Sequence, residues 1–125
     1  MTLRAAVASI GVRDIALSVA FYRSHFGFEV TEKYEPDGLM VWCRLKSGPA
    51  ELMLQQLDDS QFSSLPSGDA ASWVLYVNPS DIHECLTTFA DSAYTTSEIS
   101  ATDYGTEEFY VTDPDGYEIW VSAST

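Results

Sequence analysis

The sequence predicts an α+β fold in which a strand–helix–strand–strand–strand (βαβββ) module occurs twice within one domain, residues 1–125. The order of strand-like and helix-like segments repeats in the two halves. Short echoes link them: "SIGVRDI" with "VLYVNPSDI", and "ELML" with "EIWV". Such self-similarity indicates an old duplication. We place module 1 at residues 1–57, a linker at 58–70 and module 2 at 71–125, with a generic α+β domain as the alternative.

Module 1 begins with an apolar stretch at residues 5–12 that suits a strand. Asp14 then stands at a helix N-cap position, and apolar residues recur at helical spacing up to Gly27, which ends the helix. Three short segments rich in strand formers follow, separated by Gly- and Pro-containing turns: "FEVTEKY", "LMVWCRL" and "AELMLQQ".

Module 2 repeats this order after the polar linker "DDSQFSSLPSGDA". "SWVLYV" predicts a strand, and Asp81 opens a helix with Ile82, Leu86 and Phe89 on one face. Three further strands are predicted at "AYTTSEI", "TEEFYVT" and "YEIWVS", the last after the tight turn "DPDG".

Strand alternation assigns each side chain to one of two sheet faces. One face is predicted to pack against the helices, and its members are Ala8, Ile10, Val12, Leu52, Leu54, Trp73, Leu75, Val77, Phe109, Val111, Ile119 and Val121. The opposite face carries Val7, Ser9, Met53, Ser72, Val74, Tyr76, Glu108, Tyr110, Glu118 and Trp120. A mixture of aromatic rings and carboxylates suits neither a dry core nor a plain surface, so we expect a pocket there. Ordinary packing between two sheets is the alternative role for Trp120.

The charge balance restricts the partners. Six basic against nineteen acidic residues give a formal net charge of -13, which opposes binding to nucleic acid or anionic membranes and favours cationic ligands. No segment reaches the length of a membrane span, and the N-terminus lacks the blocks of a signal peptide. Cys43 and Cys85 lack metal-type spacing and are expected as buried thiols. A cytoplasmic protein is therefore expected.

Three segments resemble the vicinal oxygen chelate superfamily: "VRDIALSVAFYRSHFGFEV", "AELMLQQ" and "YGTEEFYVTDPDGYEIWV". This superfamily includes glyoxalase I, extradiol dioxygenases, fosfomycin-resistance enzymes and bleomycin-resistance proteins. The likeness covers nearly the whole chain. It implies paired βαβββ modules whose curled mixed sheets enclose a cleft, usually in a homodimer.

The resemblance also locates where the metal ligands of the enzymes would fall. These positions land on Val7, Met53, Ser72 and Trp120, and none of the four is a carboxylate or an imidazole. Both histidines, His25 and His83, belong to predicted helices, on the far side of the sheets from the cavity. We therefore expect no metal and no other cofactor.

The likeness is strongest to the metal-free, bleomycin-resistance-like branch, which implies a non-catalytic protein that binds a cationic or aromatic small molecule. Antibiotic sequestration is its most concrete form. The expected ligand-binding residues are Trp42, Met53, Ser72, Tyr76, Tyr104, Glu108, Tyr110 and Trp120. The facing of Trp42 and Tyr34 stays open, because "LMVWCRL" is apolar on both sides.

Two other classes of function stay open. A divergent metal-dependent lyase or dioxygenase would build its site from Glu51, Glu108 or Glu118. A structural or regulatory partner would leave the cleft without a ligand.

Overall fold

A computed structural model describes residues 1–65 and 74–125 and divides the chain into two compact units, Met1–Leu65 and Pro66–Thr125. The first unit contains β1 (Ala8–Val12), α1 (Ile15–Phe26), β2 (Glu29–Tyr34), β3 (Trp42–Ser47), β4 (Ala50–Gln56) and the short helix α2 (Asp59–Ser63). The second unit contains β5 (Leu75–Val77), α3 (Ile82–Thr87), β6 (Ser100–Ala101), β7 (Thr106–Thr112) and β8 (Glu118–Ser124).

Each unit builds one open four-stranded mixed sheet. The strand orders are β1-β4-β3-β2 and β5-β8-β7-β6, so the first strand of each unit lies beside the last. That pair is parallel in both sheets, and the other neighbours are antiparallel. The predicted α+β fold and its repeated strand–helix–strand–strand–strand order are therefore confirmed.

The caps of α1 follow the sequence prediction. The side chain of Asp14 accepts a hydrogen bond from the backbone N–H of Leu17 at 3.2 Å, which satisfies a donor that the first turn leaves free. Gly27 closes the helix with φ at 68°, a conformation that glycine adopts without steric cost. The buried side of the helix includes Ile15, Val19 and Tyr22.

The core of each unit lies on the helix side of its sheet. In the second unit the fully covered apolar strand residues are Phe109, Val111, Ile119 and Val121. This burial confirms the predicted parity of β7 and β8. Ala8 lies on the helix side as predicted, since it pairs with the buried Leu52, but it opens an edge strand and is exposed.

The buried side of α3 also differs in part from the prediction. Ile82 and Phe89 are buried as expected, but Cys85 takes the inner position and Leu86 is only half-buried. The helix ends at Thr87, so Phe89 reaches the core from the segment that follows.

The predicted strand at "AYTTSEI" is wrong, since regular pairing begins only at β6. The backbone N–H of Tyr110 donates to the hydroxyl of Ser97, at 2.9 Å, instead of to a backbone carbonyl. The backbone N–H of Ser97 still donates to the carbonyl of Tyr110 at 3.0 Å, so a side chain replaces one of the two backbone hydrogen bonds of this pair.

The predicted linker at 58–70 begins with α2, whose N-terminus carries a capping box formed by Asp58 and Gln61. The predictions for Ser72 and Trp73 fall outside the described residues. Within residues 1–65 and 74–125, no helix is long and apolar enough to cross a membrane.

Candidate functional site

Three aromatic residues form one row across the open face of the second sheet. Tyr76 on β5 lies directly beside Trp120 on β8, and Trp120 lies directly beside Tyr110 on β7. Their neighbours Ile119 and Val121 point into the core, so alternation places the row on the face away from α3. The predicted direction of Trp120 agrees with this arrangement.

The rings of this aromatic row are accessible. Exposure is 50% for Tyr76, 36% for Trp120 and 52% for Tyr110. The rings of Tyr110 and Trp120 are nearly parallel, with an interplanar angle of 28° and centroids 6.1 Å apart. The indole N–H of Trp120 donates to the carboxylate of Glu118, which fixes the ring by its edge and leaves ring surface free for contacts.

A buried carboxylate lies next to the row. Glu108 on β7 is only 7% exposed although it is on the open face. The hydroxyl of Tyr76 donates to its Oε2 at 2.9 Å, and Tyr104 donates to its Oε1 at 3.0 Å. Thr106 adds a third hydroxyl at 3.3 Å from Oε2. Two phenol side chains thus converge on one carboxylate.

A small residue on β8 supplies the room for this arrangement. Ser122 lies directly opposite Glu108 in the ladder, and Tyr76 has to cross β8 to reach that carboxylate. The buried hydroxyl of Ser122 makes no hydrogen bond of ordinary geometry among the described residues, but it faces Glu108 closely enough to influence that carboxylate. Gly105, with φ at 85°, forms the turn that returns Tyr104 toward Glu108.

These donors stabilise the charged form of Glu108. The hydroxyl of Ser122 makes the largest contribution to a lowered pKa of the Glu108 carboxyl; burial opposes it, and Tyr76, Tyr104 and Thr106 lower the pKa further. The hydrogen bond from Tyr104 to Glu108 also raises the pKa of Tyr104, because its phenol would lose this hydrogen bond on deprotonation. Glu108 is therefore a carboxylate at neutral pH.

This lowered pKa predicts a pH dependence of stability. A carboxyl whose pKa is lower in the folded state stabilises the fold above its unfolded pKa of about 4.3, and this stabilisation is lost as the pH falls through the folded value. We expect the melting temperature to fall more steeply below pH 5 in the wild type than in Glu108→Gln. Thermal unfolding followed by circular dichroism between pH 3 and 7 measures the difference.

The exposed Glu84 on α3 provides the matched control, since Glu84→Gln removes the same charge from the helix side of the unit. The melting temperature of Glu84→Gln should fall below pH 5 as steeply as that of the wild type. Identical curves for all three proteins would contradict the described role of the Glu108 hydroxyl cluster, defined as Glu108 with Tyr76, Tyr104, Thr106 and Ser122.

The charge of Glu108 is not neutralised by its own unit. All six Lys and Arg residues of the chain lie at or before Lys46, whereas eleven of the nineteen Asp and Glu residues lie in residues 66–125. Within residues 74–125, His83 Nε2 lies 3.2 Å from a carboxylate oxygen of Glu107, on the helix side. The open face of the second sheet is therefore negative.

The open face of the first sheet has a different character. Cys43 and Leu45 are buried, so Trp42 and Arg44 point to the opposite face together with Met53, which pairs with Arg44. Trp42 pairs with Tyr34, which settles the facing that the sequence leaves open: both aromatics lie on the open face. Five of the eight predicted ligand-binding residues belong to the second unit's open face and two, Trp42 and Met53, to the first unit's.

Ion pairs balance the charges on this first face. The Arg44 guanidinium lies 3.1 Å from a carboxylate oxygen of Glu51 and 3.9 Å from one of Glu32. Lys46 lies 3.4 Å from Glu51. Glu51 is thus occupied by two cations of its own sheet.

Three of the four positions at which the family resemblance places metal ligands lie within the described residues, and they are poor ligands. Val7 has no donor atom, Met53 offers a thioether close to Arg44, and Trp120 offers an N–H that already has an acceptor. Within residues 1–65 and 74–125, no three His, Cys, Asp or Glu side chains are grouped as ligands. The carboxylates of Glu108 and Glu118 are each bound by hydroxyl or indole donors of the same face.

The structure thus brings together Tyr76, Tyr104, Glu108, Tyr110 and Trp120, and their role in binding stays a prediction. Two members of the cluster were not predicted from the sequence, the small hydroxyl residues Thr106 and Ser122. Each lies two positions from an expected site residue, so strand alternation could have placed both on the open face.

Comparisons with known proteins agree with this architecture. A family model of the Glyoxalase/Bleomycin resistance protein/Dioxygenase superfamily matches residues 4–121. Curated proteins give no match. Among solved structures, TnmS3, an antibiotic binding protein from Streptomyces sp. CB03234, has a TM-score of 0.73 at 18% identity, over 99% of this chain and 100% of that one.

Two more solved structures show the same fold at similar distance. The bleomycin resistance determinant encoded on transposon Tn5 has a TM-score of 0.70 at 18% identity, over 98% of each chain. A glyoxalase/bleomycin resistance protein/dioxygenase family enzyme from Burkholderia phytofirmans PsJN has a TM-score of 0.75 at 18% identity, over 95% of this chain and 97% of that one.

Proposed function

Because the chain belongs to the glyoxalase/bleomycin resistance protein/dioxygenase superfamily, we propose that it binds a flat, cationic small molecule without chemical conversion. Sequestration of an antibiotic is the form we favour. The observation that carries the proposal is the row of Tyr76, Trp120 and Tyr110, aligned across three neighbouring strands and accessible on the face away from the core.

Stacking is the first source of affinity. Three adjacent rings on a rigid sheet present a continuous aromatic surface at little cost in conformational entropy. Each ring contact with a planar ligand contributes about 0.5–1.5 kcal/mol beyond the burial of apolar area. A ligand that covers all three rings therefore gains several such contributions at once.

Charge is the second source. The negative charge of Glu108 lies beside the row, and its own unit has no Lys or Arg to neutralise it. A cation placed over an aromatic face gains about 0.5–1 kcal/mol at an exposed site. Tyrosines that donate hydrogen bonds to a carboxylate carry more negative charge on their rings, which strengthens this attraction.

The engagement of the carboxylates supports binding rather than metal-assisted catalysis. Glu51 pairs with Arg44 and Lys46, while Glu108 and Glu118 accept hydrogen bonds from hydroxyl and indole donors. The divergent-enzyme alternative needs these groups to converge on one ion. No observation on the described residues favours that arrangement.

The proposal places the protein in the cytoplasm as a homodimer. Both cysteines are buried and outside any disulfide, which is compatible with a reducing compartment. The homodimer rests on the family resemblance.

A titration tests the proposal. Metal-free bleomycin and ethidium, two cationic molecules with planar rings, should quench tryptophan emission and give saturable heat in calorimetry at micromolar ligand. An anionic naphthalenesulfonate of similar ring size is the control and should bind far more weakly. Absence of binding for both cations, or equal binding of the anion, would reject the proposed function.

A further inference from the structure

The Glu108 hydroxyl cluster leaves its carboxylate with a charge but with few free acceptor sites. A carboxylate offers about four lone-pair positions. Tyr76 and Thr106 donate to Oε2, Tyr104 donates to Oε1, and the buried hydroxyl of Ser122 faces the same group. Three hydroxyl donors thus occupy three of these positions, and the side chain is only 7% exposed, so a ligand reaches little acceptor surface while the negative charge still acts through space.

The covering side chains determine how a cation can approach. Tyr76 and Tyr104 both reach the carboxylate through their hydroxyls, and their rings are 50% and 69% exposed. A ligand group that comes near Glu108 therefore meets ring surface before it meets carboxylate oxygen. Aromatic faces close to a negative charge are suited to bind a positively charged alkyl group.

Different cations experience this site differently. A primary ammonium or a guanidinium needs acceptors for its N–H groups, and near Glu108 it would have to displace a tyrosine hydroxyl to find one. If the cation displaces no hydroxyl, its N–H groups lose their hydrogen bonds to water and gain none from the protein. A quaternary ammonium or a sulfonium has no N–H donor, so it gains the attraction without this cost.

Resting on the proposed function, and specifying its ligand class, we infer that the site at Tyr76, Tyr104 and Glu108 selects onium groups that lack N–H donors. The molecule bound there combines a flat aromatic part, which lies on Trp120 and Tyr110, with a fully alkylated cationic group over the two tyrosines. Methylation of an amine on such a ligand strengthens its binding.

Two probes that differ only in methylation test this inference. Naphthylethyl-trimethylammonium and naphthylethylammonium share the ring and the charge, and calorimetry on the full chain measures both affinities. We expect a preference of about tenfold for the trimethyl compound, comparable to one charge-assisted hydrogen bond. Equal affinity, tighter binding of the primary ammonium, or binding of neither probe would overturn it.

Three variants test which groups cause the preference for the trimethyl compound. Tyr104→Phe removes one donor from Oε1 and frees an acceptor, so the preference should shrink or reverse as the primary ammonium gains a partner. Glu108→Gln should weaken both probes, because the charge is gone. Glu84→Gln is the matched control and should keep the tenfold preference, since it removes one exposed carboxylate on the helix side, away from the aromatic row.

These outcomes are distinguishable from failure of the proposed function. If ethidium and bleomycin bind while the two naphthyl probes show no methyl preference, planar cation binding stands and the onium selectivity is wrong. An unchanged preference in Tyr104→Phe would also overturn the inference, because the hydroxyl would then have no part in excluding N–H donors.

Discussion

Replacing Trp120 with alanine is expected to weaken binding of ethidium and metal-free bleomycin by about 30-fold or more, equivalent to ~2 kcal/mol, the typical effect of a central aromatic anchor. Trp120 is the middle member of the row, in register with both Tyr76 and Tyr110, so its loss interrupts the aromatic surface. Calorimetric titration of wild type and variant measures the change.

A graded series separates stacking from damage to the fold. Trp120→Phe keeps a smaller ring in the same place and should fall between wild type and alanine in affinity. Circular dichroism should show a folded protein in both variants, because the indole is partly exposed and the core on the other face is untouched. Wild-type affinity in Trp120→Ala would remove Trp120 from the binding site.

Replacing Phe109 with alanine is expected to lower the free energy of unfolding by about 3–5 kcal/mol, the typical cost of deleting a buried aromatic ring. Phe109 is 1% exposed, and its ring meets that of Phe89 edge to face, with centroids 6.1 Å apart. Removal leaves a cavity between the sheet and the segment that follows α3. Urea denaturation with linear extrapolation measures the loss.

The adjacent residue supplies the matched control. Tyr110 follows Phe109 on β7 but points to the open face, where it is half-exposed. Tyr110→Ala should cost about 1 kcal/mol or less in stability, as for other exposed positions, yet it should weaken ligand binding. Similar destabilisation by the two variants would contradict the assignment of the two faces of β7.

Strand alternation and helix caps made much of the fold predictable. Asp14 and Asp81 open helices because a short carboxylate side chain satisfies the free N–H groups of the first turn, a local effect that sequence reveals. The parity of Ile119 and Val121 around Trp120 likewise fixes the face on which the indole lies. The strand predicted at residues 93–99 is not formed. There the hydroxyl of Ser97 accepts the backbone N–H of Tyr110, a contact that strand propensities do not reveal.

The residues of the site could be predicted from the sequence, but not which of them lie side by side on neighbouring strands. Tyr76, Glu108, Tyr110 and Trp120 all follow from alternation, whereas the row they form depends on strand register, which the sequence does not encode locally. Trp42 could not be placed, because its neighbours are apolar on both sides and only the burial of Cys43 and Leu45 decides its face.

The hydroxyl groups that donate to Glu108 change the role expected for this residue. From sequence, a carboxylate among aromatics is a candidate partner for a ligand cation through direct hydrogen bonds. In the fold, Tyr76 and Tyr104 occupy those hydrogen bonds, so the residue orients two rings and contributes charge. Because these hydrogen bonds are already made within the protein, we expect the site to prefer alkylated cations over cations that carry N–H donors.

The indole N–H signal of Trp120 in a nitrogen-15-labelled sample, assigned by comparison with Trp120→Phe, tests the central claim most directly. On titration with ethidium, a ring stacked over the second sheet should shift this signal more than any other indole signal, and the shift should saturate with the calorimetric affinity. An unmoved Trp120 signal under conditions where ethidium is bound would contradict the account.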